Sequence, residues 1–386
     1  MIIVIADDFT GAAEIAGLGL RYSLKAELQT DFVTASNTEL LVVDTDTRCL
    51  DAVEAAKKVK HVCDGIKLIR SDLIYKKVDS ALRGNVLTEL EASLSVLNKD
   101  RAVLLPANPS MGRTIRDGRY FVNSKPINET DFANDPEHPA HSSDVLELLG
   151  HSESLKIYFQ QAPQTVPSGA IALGQIVNKQ DLLEWAAKVD DNTLAAGGAD
   201  FFEAILLQKF MKQENRQEQP LLPGRKKFFV CTSSSEYSRS IIHKLSRQAV
   251  PISQLPYGML KPDNDKNEIL HRWTANAVNA LNQYDMVVAS IERAEVGDRT
   301  LAGFLCECTV SLIENVLRTT QVDELIIEGG ATASAAVRRL CFKRFLACSE
   351  LARGVVRMKV EQKNLYLTVK PGSYHWPEKL WSHEMC

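Results

Sequence analysis

The chain opens with the apolar run Ile2-Ile3-Val4-Ile5-Ala6, which stops at Asp7-Asp8-Phe9-Thr10-Gly11 and passes into the helix-like segment Ala12 to Tyr22. So short and wholly apolar a run, rich in β-branched side chains, predicts a strand buried on both faces. Open α/β sheets bind ligands outside the carboxyl ends of their strands, so two adjacent carboxylates at that position point to a polyol or metal site. Thr10 can cap the following helix, and Gly11 lets the backbone turn closely. A helix cap would account for Asp7 or Asp8 but not for both.

The strand-helix alternation continues. Leu40 to Val43 reads as a strand, Asp51 to Val62 as a helix, Ile74 to Val78 as a strand, Val86 to Leu97 as a helix and Ala102 to Leu105 as a strand. Pro, Gly, Asn and Asp then loosen the pattern from Asn108 to Ser143, which reads as a long functional loop. Further units pass through Ile171, a helix near Leu182 to Ala187, and a helix from Phe201 to Met211. The polar stretch Lys212 to Pro220, followed by Pro223-Gly224, reads as a linker. Beyond it the alternation restarts with strands at Phe228 to Cys231, Met286 to Ser290 and Glu324 to Ile327, and helices at Ser238 to Gln248, Gly303 to Leu317 and Thr332 to Leu340. A chain of 386 residues is too long for one ordinary core. The expectation is therefore an α/β protein of two three-layer α/β domains, with mostly parallel sheets facing each other across an interdomain cleft. The domains are placed at 1–215 and 227–386, with a linker at 216–226. The role of the tail from Trp376 to Cys386 is left open, with Trp381 expected to pack on the surface.

Net charge of -4 and a pI near 6.1 give no basic field to recruit nucleic acid or an anionic membrane. No apolar stretch approaches the roughly 20 residues of a membrane span, and the apolar start meets Asp7 too early for a signal peptide, so a cytoplasmic protein is expected. The eight cysteines form no C-x-x-C pair and read as reduced core thiols rather than a metal site. No metal ligand is assigned, and homo-oligomerisation is left open.

Polar clusters follow successive strands of the first half. They are Asp44-Thr45-Asp46-Thr47-Arg48, then Lys76-Lys77-Val78-Asp79-Ser80 with Arg83-Gly84-Asn85, and Pro106-Ala107-Asn108-Pro109 with Arg113 beyond. Guanidinium groups pair with a carboxylate or phosphate, while Asp side chains accept from hydroxyls. A small sugar acid satisfies both sets, and Gly84-Asn85 at a helix start could receive an anion on backbone N–H groups. In the second half, strands end in Thr232-Ser233-Ser234-Ser235 and in Glu328-Gly329-Gly330-Ala331-Thr332, and Lys370-Pro371-Gly372-Ser373 follows another strand-like run. Glycines and hydroxyls between strand and helix can cradle phosphates, although neither a P-loop nor a dinucleotide fingerprint is present. Asp44-Thr45-Asp46 looks like the D-x-D of haloacid-dehalogenase-type phosphatases. However, Arg48 stands where that family has a small β-branched residue, and no downstream acidic pair completes the motif.

Five segments in order resemble the four-carbon acid sugar kinase family: Ile5 to Ala12, Asp44 to Arg48, Tyr75 to Ser80, Leu82 to Asn85 and Thr130 to Pro136. The resemblance implies phosphorylation of threonate, erythronate or 3-oxo-tetronate with ATP and Mg²⁺, an N-terminal acid-sugar domain and a C-terminal nucleotide domain. It carries over Asp8, Arg48 and the Lys77 to Ser80 segment, with Asp79 within it, as substrate contacts; the strand-end clusters add Asp7 and Arg83 to the substrate-binding set, with Arg48, Arg83 and Lys77 expected on the carboxylate. Asp8 or Asp79 becomes the base, and a pKa raised by the neighbouring acid would favour Asp8. Ser233, Gly329, Gly330, Ala331, Thr332 and Gly372 fall where the family holds nucleotide. The family usually has Gly-Gly-Asp-Thr where this chain has Gly-Gly-Ala-Thr; Glu328 or Asp323 is the nearby substitute for the missing acid. The alternative is a non-catalytic sugar-acid-binding protein with a degenerate nucleotide site.

Overall fold

The computed structural model describes residues 1–32, 36–135, 137–210, 226–232, 236–260, 265–291, 299–372 and 374–381. The chain divides into two compact units, Met1–Gln217 and Glu218–Cys386. Residues 216–225 of the expected linker lie outside the described residues.

In the first unit, strands β1 (Ile2–Ala6), β2 (Ala26–Gln29), β3 (Leu40–Asp44), β4 (Leu73–Lys77) and β5 (Arg101–Leu105) alternate with helices α1 (Phe9–Arg21), α2 (Ala52–Ile66) and α3 (Val86–Leu97). A three-stranded antiparallel sheet follows, made of β6 (Arg113–Arg116), β7 (Arg119–Val122) and β8 (Lys125–Pro126). Then come α4 (Val145–Leu149), β9 (Lys156–Gln160), β10 (Ala170–Gly174), α5 (Lys179–Ala186), β11 (Thr193–Gly197) and α6 (Ala199–Phe210). The main sheet runs β2-β3-β1-β4-β11-β5-β10-β9, with every pairing parallel. β1, β3, β10 and β11 are buried at every position, as apolar runs covered on both faces must be. After β1 the chain moves to one side of it, then returns to lay β4 on the other, which makes a topological switch point. The register aligns Ala6 with Asp44 and with Lys77, so the three chains leave the sheet side by side.

The small sheet corrects the expectation of a continuous loop from Asn108 to Ser143. Its two hairpins turn at Asp117-Gly118 and Asn123-Ser124, all four with positive φ, a conformation that Gly, Asn and Asp reach most cheaply. Dominance of turn residues hid the two-residue alternation of the flanking strands.

The second unit contains β12 (Lys227–Cys231), α7 (Glu236–Arg247), β13 (Ile252–Gln254), α8 (Lys266–Gln283), β14 (Met286–Ser290), α9 (Arg299–Thr319), β15 (Glu324–Glu328), α10 (Gly330–Arg339), β16 (Arg344–Ala352), β17 (Val355–Val360) and β18 (Tyr366–Lys370). Its sheet order is β13-β14-β12-β15-β18-β17-β16, parallel except for the antiparallel pairings of β17 with β18 and β16. Trp381 does not pack on the surface. Trp376 and Trp381 lie in the core against Phe229, with ring centroids 5.4 and 4.9 Å away. Each such aromatic pair adds about 0.5–1.5 kcal/mol beyond the area it buries. The protein is thus α/β in both units, with mostly parallel sheets.

Candidate functional site

Asp8 is the N-cap of α1, which starts three residues earlier than the sequence pattern indicates because that cap organises its first turn. The Asp8 Oδ1 accepts from the Gly11 N–H at 3.1 Å, and its Oδ2 accepts from the Thr10 hydroxyl at 2.6 Å. A Cβ on residue 11 would stand 2.6 Å from Asp8 Oδ1 and 3.2 Å from Lys77 Nζ, so only glycine admits this approach. Asp8 does more than cap: Arg48 NH2 also donates to its Oδ1 at 2.6 Å, while Arg48 Nε donates to Asp7 Oδ2 at 2.8 Å. The third Arg48 nitrogen, NH1, lies 3.6 Å from Asp79 Oδ1. Asp7 Oδ1 is buried and accepts no hydrogen bond among the described residues.

Asp79 accepts from the Ala81 and Arg83 backbone N–H groups and from Arg83 Nε and NH2, at 2.8 to 3.2 Å. Arg83 NH1 reaches Asp135 Oδ2 at 2.8 Å, and the guanidinium groups of Arg83 and Arg113 both stand over the Phe132 ring, 5.4 and 5.2 Å from its centroid. Arg113 donates to the Ser80 hydroxyl, and the Tyr120 hydroxyl donates to the Ser80 carbonyl. Lys77 Nζ donates to the Val78 carbonyl at 2.9 Å and stands 4.0 Å from Glu14, so ammonium donors remain for a ligand. Beneath this cluster, Lys76 pairs with Glu89 at 2.6 Å in full burial, and the Thr47 hydroxyl donates to Glu89. Asn85 donates its amide to the Thr47 and Leu50 carbonyls, holding the loop that presents Arg48.

Asp7, Asp8, Arg48, Asp79 and Arg83 therefore form one continuous ionic cluster, flanked by Lys77 and Ser80. Thr10 does not cap α1 as the sequence suggests, because Asp8 takes that place and Thr10 donates to it; Glu89, Tyr120 and Asp135 were not singled out individually in the sequence. Asp135 lies in the Thr130 to Pro136 segment, whereas a glutamate in the first turn of a helix, as Glu89 is, reads as an ordinary dipole partner.

The electrostatics reverse one expectation. Burial works to raise the Asp8 carboxyl, but Arg48 and Lys77 outweigh it and hold Asp8 below the usual carboxylate range. Burial likewise opposes ionisation of Asp79, and Arg83 with Arg48 hold it well below that range. The neighbouring acid does not raise Asp8 because two cations stand nearer in effect. Asp44 goes the other way: burial, then Asp46, push its carboxyl well above the ordinary value. A raised folded pKa costs stability as pH climbs above the unfolded value near 4. Asp44→Asn keeps an oxygen for the Asp46 N–H and removes the titration. Urea unfolding should show the variant close to wild type near pH 3.5 and more stable at pH 7; a difference independent of pH would refute the assignment.

In the second unit, Gly329 to Thr332 open α10, with Gly329 as N-cap at φ 97°, a conformation suited to glycine. The Thr232 and Thr332 hydroxyls are 3.3 Å apart, and Ala331 is exposed. Register pairs Glu328 with Lys370, so Gly372 lies at the same sheet end; Ser233 lies outside the described residues. Neither proposed substitute for the missing acid is available there. Glu328 accepts from Ser238, Lys370, Cys231 and Trp376 at 2.6 to 3.2 Å in full burial, and Lys370 holds it below its ordinary pKa against the pull of burial. Asp323 precedes β15, roughly 17 Å away along the strand, where it accepts from Lys226 and Gln321.

Residues 2–204 match a sugar-binding N-terminal domain family, and residues 228–374 match a nucleotide-binding C-terminal domain family. The two matches fall one on each compact unit of the chain. A D-threonate kinase from Salmonella typhimurium is 26% identical over 91% of this chain and 89% of its own length. A 3-oxo-tetronate kinase from Actinobacillus succinogenes is 25% identical over 97% and 96%, and a D-erythronate kinase from Heliobacterium modesticaldum is 29% identical over 51% and 47%. The chain belongs to the four-carbon acid sugar kinase family. A solved Salmonella typhimurium protein shares the fold with a TM-score of 0.79 at 19% identity, covering 97% of this chain and 96% of that one. No described helix is long and apolar enough to cross a membrane.

Proposed function

We propose that the protein transfers the γ-phosphoryl group of ATP to a terminal hydroxyl of a four-carbon sugar acid. The observation that carries this is the cluster of Asp7, Asp8, Arg48, Lys77, Asp79 and Arg83 at the switch point of the sugar-binding unit. Lys77, with donors to spare, anchors the substrate carboxylate, and Arg48 and Arg83 line the same pocket. Asp8 orients the attacking hydroxyl and receives its proton. The geometry favours it over Asp79, whose oxygens already accept four donors. Phosphoryl transfer asks the protein mainly for positioning and charge neutralisation, which such a cluster supplies.

The first turn of α10 suits the nucleotide phosphates. Its leading N–H groups have no intrahelical acceptor, the helix dipole favours anions, and the Thr232 and Thr332 hydroxyls stand beside it. Mg²⁺, which neutralises phosphate charge when bound, is normally held through phosphates with one or two carboxylates. Glu328 is fully committed, so we assign no protein ligand to it.

The test is ADP release from Mg-ATP with a panel of stereoisomers of threonate and erythronate and with 3-oxo-tetronate. ADP formation that depends on one of these acids is expected. Measurable sugar-acid binding without ADP from any of them would favour the non-catalytic alternative, which Ala331, in place of the family's aspartate, supports.

A further inference from the structure

We propose that Cys49, Glu137 and His138 form a binding site for a borderline-soft divalent cation of the zinc class. One ligand atom from each lies within 4.8 Å of the others. Ligand atoms around a tetrahedral zinc stand roughly 3.3–3.8 Å apart, so small side-chain rotations separate this cluster from a coordination shell. The Cys49 thiol already donates to Glu137 Oε2 at 2.6 Å. Thiol, imidazole and carboxylate together suit zinc, whereas magnesium and calcium take oxygen ligands, so this site is chemically distinct from any metal that accompanies a nucleotide.

The two segments that supply the ligands are held in place independently of any metal. Asp135 Oδ1 accepts from the Glu137 and His138 N–H groups at 3.0 and 2.9 Å, and its Oδ2 is fixed by Arg83. His138 Nε2 lies 3.1 Å from the Arg48 carbonyl oxygen. With its proton on Nε2, the ring offers the Nδ1 lone pair to a metal and donates to a backbone carbonyl, the usual outer partner of a ligating histidine. Cys49 and Glu137 are exposed, which leaves the site open to entry and a fourth position for water. Occupancy would fasten Glu137 and His138 to the loop that presents Arg48.

Titration of the full chain with Zn²⁺ against a chromophoric chelator tests this, together with Co²⁺ absorption spectroscopy. Wild type should bind one equivalent that Cys49→Ser and Glu137→Gln weaken by more than the ~10–100-fold typical of losing only an outer-shell partner. The Co²⁺ adduct of wild type should carry a thiolate-to-metal charge-transfer band that Cys49→Ser lacks. Equal zinc stoichiometry and affinity in wild type and Cys49→Ser, or no binding to wild type, would overturn the proposal. Cys49 is exposed, so this variant should melt like wild type without metal and keep the comparison interpretable.

Discussion

Asp8→Asn is expected to lower turnover by about 10²-fold or more while leaving nucleotide affinity intact, with some loss of stability at neutral pH from the missing ion pair to Arg48. Asparagine caps a helix about as well as aspartate, so the contact with the Gly11 N–H survives and α1 keeps its start. What disappears is the negative charge that faces Arg48 and Lys77 and can take the proton of a substrate hydroxyl. Because Asp8 is held below the usual carboxylate range, it is ionised throughout the neutral region. Its acid limb in a pH–rate profile should fall below about pH 4. A weak base of this kind suits a loose phosphoryl-transfer transition state, in which the hydroxyl gives up its proton late. Steady-state ADP release and nucleotide binding, measured with a thermal melt, check the prediction. Unchanged turnover would exclude Asp8 as base, and a large loss of melting temperature would mean that the residue acts mainly on folding.

Much of the fold was legible because parallel α/β architecture writes itself plainly. β1 is an uninterrupted apolar run, β14 is apolar up to its closing Ser290, and α3 has the bounds the pattern gives it, Val86–Leu97. Legibility failed where local chemistry and pattern disagreed. The hairpins of β6 to β8 are so short that turn residues dominate them. β16 and β17 pair antiparallel in a region without strand-helix alternation, and α8 carries its apolar face in an otherwise polar stretch. Trp381 was misread because polar residues separate it from Trp376, and only the fold brings both to Phe229.

For the site, strand-end position identified Asp7, Asp8, Arg48, Lys77 and Asp79, because strand ends converge by topology. Partnership was not legible. That Arg48 is shared by three carboxylates, that Glu328 is consumed by four donors, and that Asp135 closes on Arg83 are all contacts between segments distant in sequence. The direction of the Asp8 shift was misjudged for the same reason: an adjacent acid is visible in sequence, whereas the cations that outweigh it come from β3 and β4 neighbours.

Arg48→Ala should cost the first unit about 3–5 kcal/mol, the usual consequence of stripping one partner from a buried ionic cluster. The arginine is mostly buried, at 16% side-chain exposure, and the carboxylates it faces are at 5%, 12% and 7%. Solvent therefore cannot replace it. Asp79 would retain Arg83 and Asp8 would retain Lys77, leaving Asp7 as the worst-placed charge. The loss should depend on pH in a defined sense. In wild type the depressed pKa values of Asp8 and Asp79 contribute stability that is fully present above the unfolded value near 4 and is lost as pH falls through the folded values. The gap between wild type and variant should thus be widest near neutrality and narrow below about pH 4. Arg48→Lys should recover only part of it, since an ammonium supplies the charge without the fork that spans Asp7 and Asp8. Sugar-acid affinity should fall in both variants while nucleotide affinity holds. Urea unfolding across pH and separate binding titrations decide the matter. A loss under about 1 kcal/mol would show that Arg48 behaves as a surface pair, and an equal loss of nucleotide affinity would show that acid sugar and nucleotide are not divided between the two units as proposed.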